Sequence, residues 1–304
     1  MKELEMFVRY MSSRGMSENT IKAFPSYIRQ FLDLLEVETI DDLKELKVSN
    51  FQVYLEALQE DGNSVSTRNC KLSAVKSFFR YLEENDFIDK NIAERVKHSK
   101  MQQRVSVQPT REEAKKILDS VKSRPKLFTL YTLLMNSGLR IEECLTLRLQ
   151  DFRDGCVYVI DGKGGKDRIV PLNETASSCL ANYIANHRKV WTKEMLAERH
   201  SGDKKLVKKA LESSNLIFLG KNGLRMYNSN LNVSLDRTAK DCGIDPEKVH
   251  PHAFRHYFAN EFVKQGGRVN ELQSILGHAS LKTTQIYFEN DITSIQKTVS
   301  AMSF

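Results

Sequence analysis

The sequence predicts a mainly α chain: an all-helical N-terminal domain, then an α-rich second domain with a small antiparallel β-sheet. Three observations carry this expectation. Apolar residues recur at helical spacing through most of the chain. β-Branched alternation is confined to a stretch between Cys156 and Val170, and apolar periodicity stops between Arg95 and Pro109. At 304 residues the chain allows two domains, each long enough to bury a core.

In the first part, Leu4 to Met11 reads as a short amphipathic helix. Ser17 caps a second, whose Ile21, Phe24, Ile28, Phe31, Leu32 and Leu35 keep helical spacing, with a bend at Pro25. A third helix runs from about Asn50 to Leu58. A fourth runs from Ser66 to Leu82, with Leu72, Val75, Phe78, Phe79 and Leu82 as its core stripe. On that helix Arg68, Lys76 and Arg80 fall at multiples of four with Lys71 beside them, which suits either a DNA-facing surface or an ordinary solvated face. Residues 95–109 contain Arg95, Lys97, His98, Lys100 and Arg104 with no acidic residue and read as a basic linker. Thr110 with Glu113 forms a capping box that opens the next helix. The expected division is therefore 1–94, linker 95–109, and 110–304 with a C-terminal tail 288–304.

In the second part, Leu127 to Met135 is an apolar helix. Cys156 to Ile160 and Ile169-Val170 form a hairpin around the turn Gly162 to Gly165, with Lys163 and Lys166 at its tip. Lys189 to Ser213 is lysine-rich and helical in composition, with no role evident from its residues. Pro251 suits a first helical turn, and His252, Arg255 and His256 then share one face at i, i+3 and i+4. After Gly266-Gly267, a short helix bearing Val269, Leu272, Ile275 and Leu276 ends at Gly277, leaving His278 just past its end. A helix restarting over Ser280 to Gln285 places Tyr287 about two turns beyond that histidine. Ile292, Ile295, Val299 and Met302 keep helical spacing in the tail, which suits docking on a neighbouring protomer or folding back on its own domain.

Two arginines, two or three histidines and a tyrosine are the residue types that a metal-free attack on a phosphodiester requires. The transition state spreads negative charge over the non-bridging oxygens, and an arginine fork can hold two of them at once. Singly, each residue has a plainer reading. Arg140 suits the C-terminal end of the apolar helix, His252 and His256 flank the core candidates Phe254 and Tyr257, Glu143 suits a solvated carboxylate, and Lys163 or Lys166 an idle turn lysine.

Taken in order, the motifs are Gly138-Leu139-Arg140 with Glu143, Gly162-Lys163-Gly164-Gly165-Lys166-Asp167-Arg168, His252-Ala253-Phe254-Arg255-His256, Leu276-Gly277-His278, and Thr283-Thr284-Gln285-Ile286-Tyr287. With these the chain resembles the tyrosine recombinase (phage integrase) family, in particular its Xer-like members, over nearly its whole length. The resemblance implies that Arg140 and Arg255 clamp the scissile phosphate, Lys163 protonates the leaving 5′ oxygen, His252 and His278 donate or relay protons, and Tyr287 attacks to form a 3′-phosphotyrosine. Glu143 and His256 would support the catalytic set. Arg68, Lys71, Lys76, Arg80, Lys97, Lys100, Arg104, Lys166 and Arg168 would contact DNA. It also implies that residues 1–94 are a core-binding domain, and that the partner is double-stranded DNA with paired sites, exchanged through a Holliday junction by a homotetramer, with a second recombinase as an option. A type IB topoisomerase-like nicking-closing enzyme and a catalytically inactive DNA-binding accessory protein are the alternatives. No arm-binding domain precedes the first helix, which leads one to expect short, simple sites.

Charge agrees with a polyanionic partner. Residues 1–94 hold 12 basic against 17 acidic residues, and residues 95–304 hold 34 against 22, so phosphate contact is expected mainly in the second part. Five scattered cysteines read as reduced thiols, Met1 to Arg14 is too charged for a signal peptide, and no apolar run approaches a membrane span, which together read as a cytoplasmic protein. There is no Walker-type loop, magnesium carboxylate cluster or CxxC pair, so no cofactor or metal is expected.

Overall fold

The computed structural model describes residues 1–101, 107–160 and 167–277. Two compact units emerge, Met1–Arg104 and Val105–Phe304.

The first unit is helical. It comprises α1 (Lys2–Ser13), α2 (Glu18–Leu34), α3 (Ile40–Glu45), α4 (Val48–Glu60) and α5 (Val65–Glu84), followed by a 3₁₀ turn at Ile92–Arg95. Local signals start these helices: the Ser17 and Ser64 hydroxyls accept the N–H groups of Thr20 and Thr67. Pro25 lies buried inside α2. The centre is aromatic, with Phe7, Phe31, Phe51, Tyr54, Phe78 and Phe79 fully buried and Phe31 set edge-on to Tyr54 at 5.1 Å. Helix α3 was not expected. It is too short for periodicity to reveal, and only its Thr39/Asp42 capping box marks it in the sequence.

The basic segment expected to begin a linker at Arg95 starts as part of this unit. Val96 is buried, and Asn69 on α5 exchanges two hydrogen bonds of 2.9 Å with the backbone of Ser99.

The second unit opens with α6 (Arg111–Val121), where Thr110 and Glu113 form the expected capping box. It continues through α7 (Pro125–Ser137), α8 (Ile141–Thr146), β1 (Phe152–Arg153), β2 (Cys156–Val159), β3 (Arg168–Pro171), α9 (Glu174–Asn182), α10 (Lys193–Arg199), α11 (Lys204–Glu212), α12 (Asn228–Cys242), α13 (Pro251–Lys264) and α14 (Val269–Leu276). The three strands form an antiparallel sheet in the order β1-β2-β3, with Val157 opposite Val170. Strand β1 was not anticipated. The turn that joins it to β2 uses Asp154 and Gly155, both at positive φ. Helix α7 runs through the core: Leu130, Tyr131, Leu133 and Leu134 are almost wholly buried. The lysine-rich stretch folds as the pair α10 and α11, which bury Leu196, Val207 and Ala210 against Trp191 and Leu224. Among the described residues no helix is long and apolar enough to cross a membrane.

Candidate active site

Three chain segments meet where α7 ends, α13 begins and α14 ends. Helix α7 closes on Gly138 in the left-handed region at φ 63°, and a Cβ there would lie 2.5 Å from Phe258 Cδ1 and 2.7 Å from Leu276 Cδ2. Only glycine accepts both the dihedral and the contact. Buried Leu139 follows, and Arg140 stands at the N-cap of α8, so its guanidinium is delivered from a sharp corner, not from the interior of a helix. The His250 Nδ1 atom accepts the Ala253 N–H at 3.2 Å to start α13, which carries His252, Arg255 and His256 in its first two turns.

Arg255 is only 6% exposed, and its guanidinium donates to the carbonyls of Gly138 and Leu276, the second at 2.7 Å. It thereby ties the end of α7 to the end of α14. Arg140 donates from Nη1 to Glu143 Oε1 at 3.0 Å and from Nη2 to the Gly277 carbonyl at 3.4 Å, while its own N–H donates to Glu143 Oε2 at 2.8 Å. Arg168 grips the same carboxylate with two bonds of 2.8 and 2.6 Å, and its Nε donates to the Ile275 carbonyl at 2.8 Å. Three arginines thus hold three successive carbonyls, those of Ile275, Leu276 and Gly277, at the C-terminal end of α14. Helix ends leave such carbonyls without intrahelical partners and carry partial negative charge, so a guanidinium satisfies both demands.

Burial alone would raise the Glu143 carboxyl. The Arg168 hydrogen bonds, the Arg140 N–H and the two positive charges outweigh it and hold the group below the usual carboxylate range. His256 goes the other way for a base: burial, then the charges of His252, Arg255 and His250, push it down to about 4, so its imidazole is uncharged at neutral pH. His252, one turn earlier, is exposed.

The structure therefore brings Arg140, Glu143, His252, Arg255 and His256 into one neighbourhood. Lys163 and Lys166 fall in 161–166, Arg104 in 102–106, and His278, Tyr287 and the tail beyond 277, all outside the described residues. Arg168, expected to contact DNA, is instead 10% exposed and fully engaged with Glu143 and Ile275. Strand alternation accounts for its direction: Ile169 is 55% exposed and Val170 buried, so Arg168, on the same face as Val170, turns inward.

The expected cationic stripe on α5 is also largely committed within its own unit. Arg68 donates to Gln59, and Lys71 is buried with its Nζ on Asn63 at 3.0 Å. The Lys76 Nζ donates to the Val96 carbonyl at 3.0 Å, and Arg80 pairs with Glu94 at 2.6 Å. Lys97 and Lys100 are exposed.

The sequence pattern of the phage integrase family matches residues 109–293, and that of the phage integrase N-terminal SAM-like domain matches residues 4–85. The chain is 28% identical over 291 residues to a tyrosine recombinase XerC of Oceanobacillus iheyensis, covering 93% of this chain and 90% of that one. It is 31% identical over 294 residues to a tyrosine recombinase of Thermosipho africanus, covering 94% of each. The structure of the Tn1549 transposon integrase in complex with circular intermediate DNA matches with a TM-score of 0.73 at 20% identity and 99% coverage of both chains, a likeness of fold.

Proposed function

The chain belongs to the phage integrase family and is a tyrosine site-specific recombinase; on that premise we propose that it cuts and rejoins double-stranded DNA through a 3′-phosphotyrosine at Tyr287 and a Holliday junction. The observation that supports this most is the meeting of Arg140 and Arg255 at the end of α14, with His252 on the same helix as Arg255. Two cations at one helix end suit a phosphate whose charge grows during attack.

In this mechanism the Tyr287 phenolic oxygen attacks phosphorus as the 5′ oxygen departs. Arg140 and Arg255 hold the non-bridging oxygens, Lys163 gives its proton to the leaving oxygen, and the phenolic proton passes to the His252 and His278 relay. Glu143 fixes Arg140, and neutral His256 supports the same face. The tyrosyl ester conserves the phosphodiester bond energy, so a 5′ hydroxyl from a second site reseals the strand without an external energy source. The working assembly is a homotetramer on two sites, and the setting is the cytoplasm. Phosphate-backbone contact in the first unit and its basic extension falls to the exposed Lys97 and Lys100, with Arg104 as a further candidate there and Lys166 in the second unit, and binding weakens steeply with salt.

A nicked suicide duplex carrying the recognised site tests this reading. The wild-type chain should form a denaturant-stable covalent complex, and Tyr287→Phe should form none. A covalent complex that persists in Tyr287→Phe refutes the assignment. Joining of labelled ends from two separate sites distinguishes recombination from nicking and closing on one.

A further inference from the structure

Glu143 is one carboxylate facing two guanidiniums, and it is not shared evenly. Arg168 meets it end-on, Nη1 and Nη2 each donating to one carboxylate oxygen at 2.8 and 2.6 Å, whereas the Arg140 side chain makes one contact of 3.0 Å. The carboxylate is 8% exposed, Arg168 10% and Arg140 24%, so the inner pair is sealed and the outer guanidinium faces solvent. Arg168 is itself held in plane. Its Nε donates to the Ile275 carbonyl at 2.8 Å, and a Cβ on Gly277 would come within 3.1 Å of its Cδ. A lysine cannot reproduce this, because its single ammonium lacks the planar set of donors.

The charges count two positive against one negative, leaving one net positive on the trio. Without Arg168 the trio becomes a neutral pair, and a buried carboxylate has only Arg140 left to satisfy it. We propose that Arg168 is a positioning residue for strand cleavage: by occupying Glu143 from the inside, it leaves the Arg140 guanidinium directed toward the scissile phosphate instead of drawn into an ion pair. This rests on the reading of Arg140 as a phosphate ligand.

The inference predicts an unusual rescue. With the full-length protein and a nicked suicide duplex at saturation, Arg168→Gln should slow covalent-complex formation by about 10- to 10²-fold, less than the loss of a direct transition-state donor. Adding Glu143→Gln should recover about tenfold of that loss, since a neutral amide no longer draws Arg140 inward. A purely structural role for Arg168 predicts the opposite, because the double variant has lost a further set of interactions. Arg168→Lys, which retains the charge without the planar donors, should fall between wild type and Arg168→Gln.

Duplex binding supplies a readout independent of cleavage. The slope of log K against log salt should fall by about 0.9 in Arg168→Gln, one phosphate contact, and return in the double variant. An Arg168→Gln protein that cleaves and binds like wild type, or a double variant no better than the single, overturns the inference. Failure of the wild-type chain to form any covalent complex would instead refute the functional reading, and the salt slopes would still decide the role of Arg168.

Discussion

Arg255 Nη2 donates to the Leu276 carbonyl across 2.7 Å, while Nη1 of the same guanidinium donates to the Gly138 carbonyl. A side chain assigned to chemistry is thus also a strut between two helix ends. Arg255→Lys supplies one donor group in place of a planar pair, so a carbonyl is left unsatisfied in a buried setting. That should cost about 1–3 kcal/mol of stability, read as a lower urea midpoint. Cleavage should fall by about 10²- to 10³-fold. A variant with an unchanged midpoint would remove the structural half of this assignment.

Gly138→Ala is expected to be severe. The left-handed dihedral costs about 1–2 kcal/mol for a residue with a Cβ, and the methyl would strike Phe258 and Leu276 at 2.5 and 2.7 Å. Overpacking adds about 1–3 kcal/mol. Thermal unfolding of the variant should therefore shift down by several degrees, and a melting curve superimposable on wild type contradicts the geometry.

Stability should decline in mild acid. The His256 imidazole is held at about 4 against an ordinary value of 6.5, so between these values the unfolded chain binds more protons than the folded one. Its contribution is complete above the ordinary value and is lost as pH falls toward the folded one, by at most about 1–3 kcal/mol. Glu143, whose carboxyl is depressed, acts in the same direction at lower pH: its stabilisation is present above the usual carboxylate range and disappears below it. Urea titrations at pH 7 and pH 4.5 measure the difference, and His256→Asn should flatten it. An equal slope in that variant rules out His256 as the source.

Substitution of basic residues in the first unit should separate free charges from committed ones. Lys97→Ala with Lys100→Ala should weaken duplex binding and lower the salt slope by up to about 1.8, two phosphate contacts. Arg80→Ala should do much less, because Glu94 already holds that guanidinium. Fluorescence anisotropy across a salt series measures both, and a larger effect from Arg80 reverses the ranking.

Much of this architecture is legible in the residues. Helices with long apolar stripes, such as α2 and α5, announce themselves by period, and Ser17, Thr110 and Gly277 mark ends through chemistry local to a few residues. Not all of it was read: α9 and α12 were not singled out, although α12 is fifteen residues long. Helix α3 and strand β1 are too short to express a period, and their existence depends on packing partners remote in sequence. Lys71 reads as a surface charge but is buried, its ammonium bonded to Asn63 and 5.9 Å from the Tyr27 ring centre. Arg168 reads in the sequence as a free cation beside a glycine-rich stretch, yet Glu143 lies opposite it, a pairing 25 residues apart that no local pattern encodes.

The guanidiniums at the end of α14 have a further effect on recognition itself. Because Arg140 and Arg255 already lean on peptide oxygens before any ligand arrives, their rotamers are surrendered during folding and not at the encounter. An arriving anion meets donors whose aim is set in advance. The cost is competition, since each oxygen it offers must displace or share with a carbonyl of the protein's own backbone, a built-in threshold that weakly charged intruders will not cross.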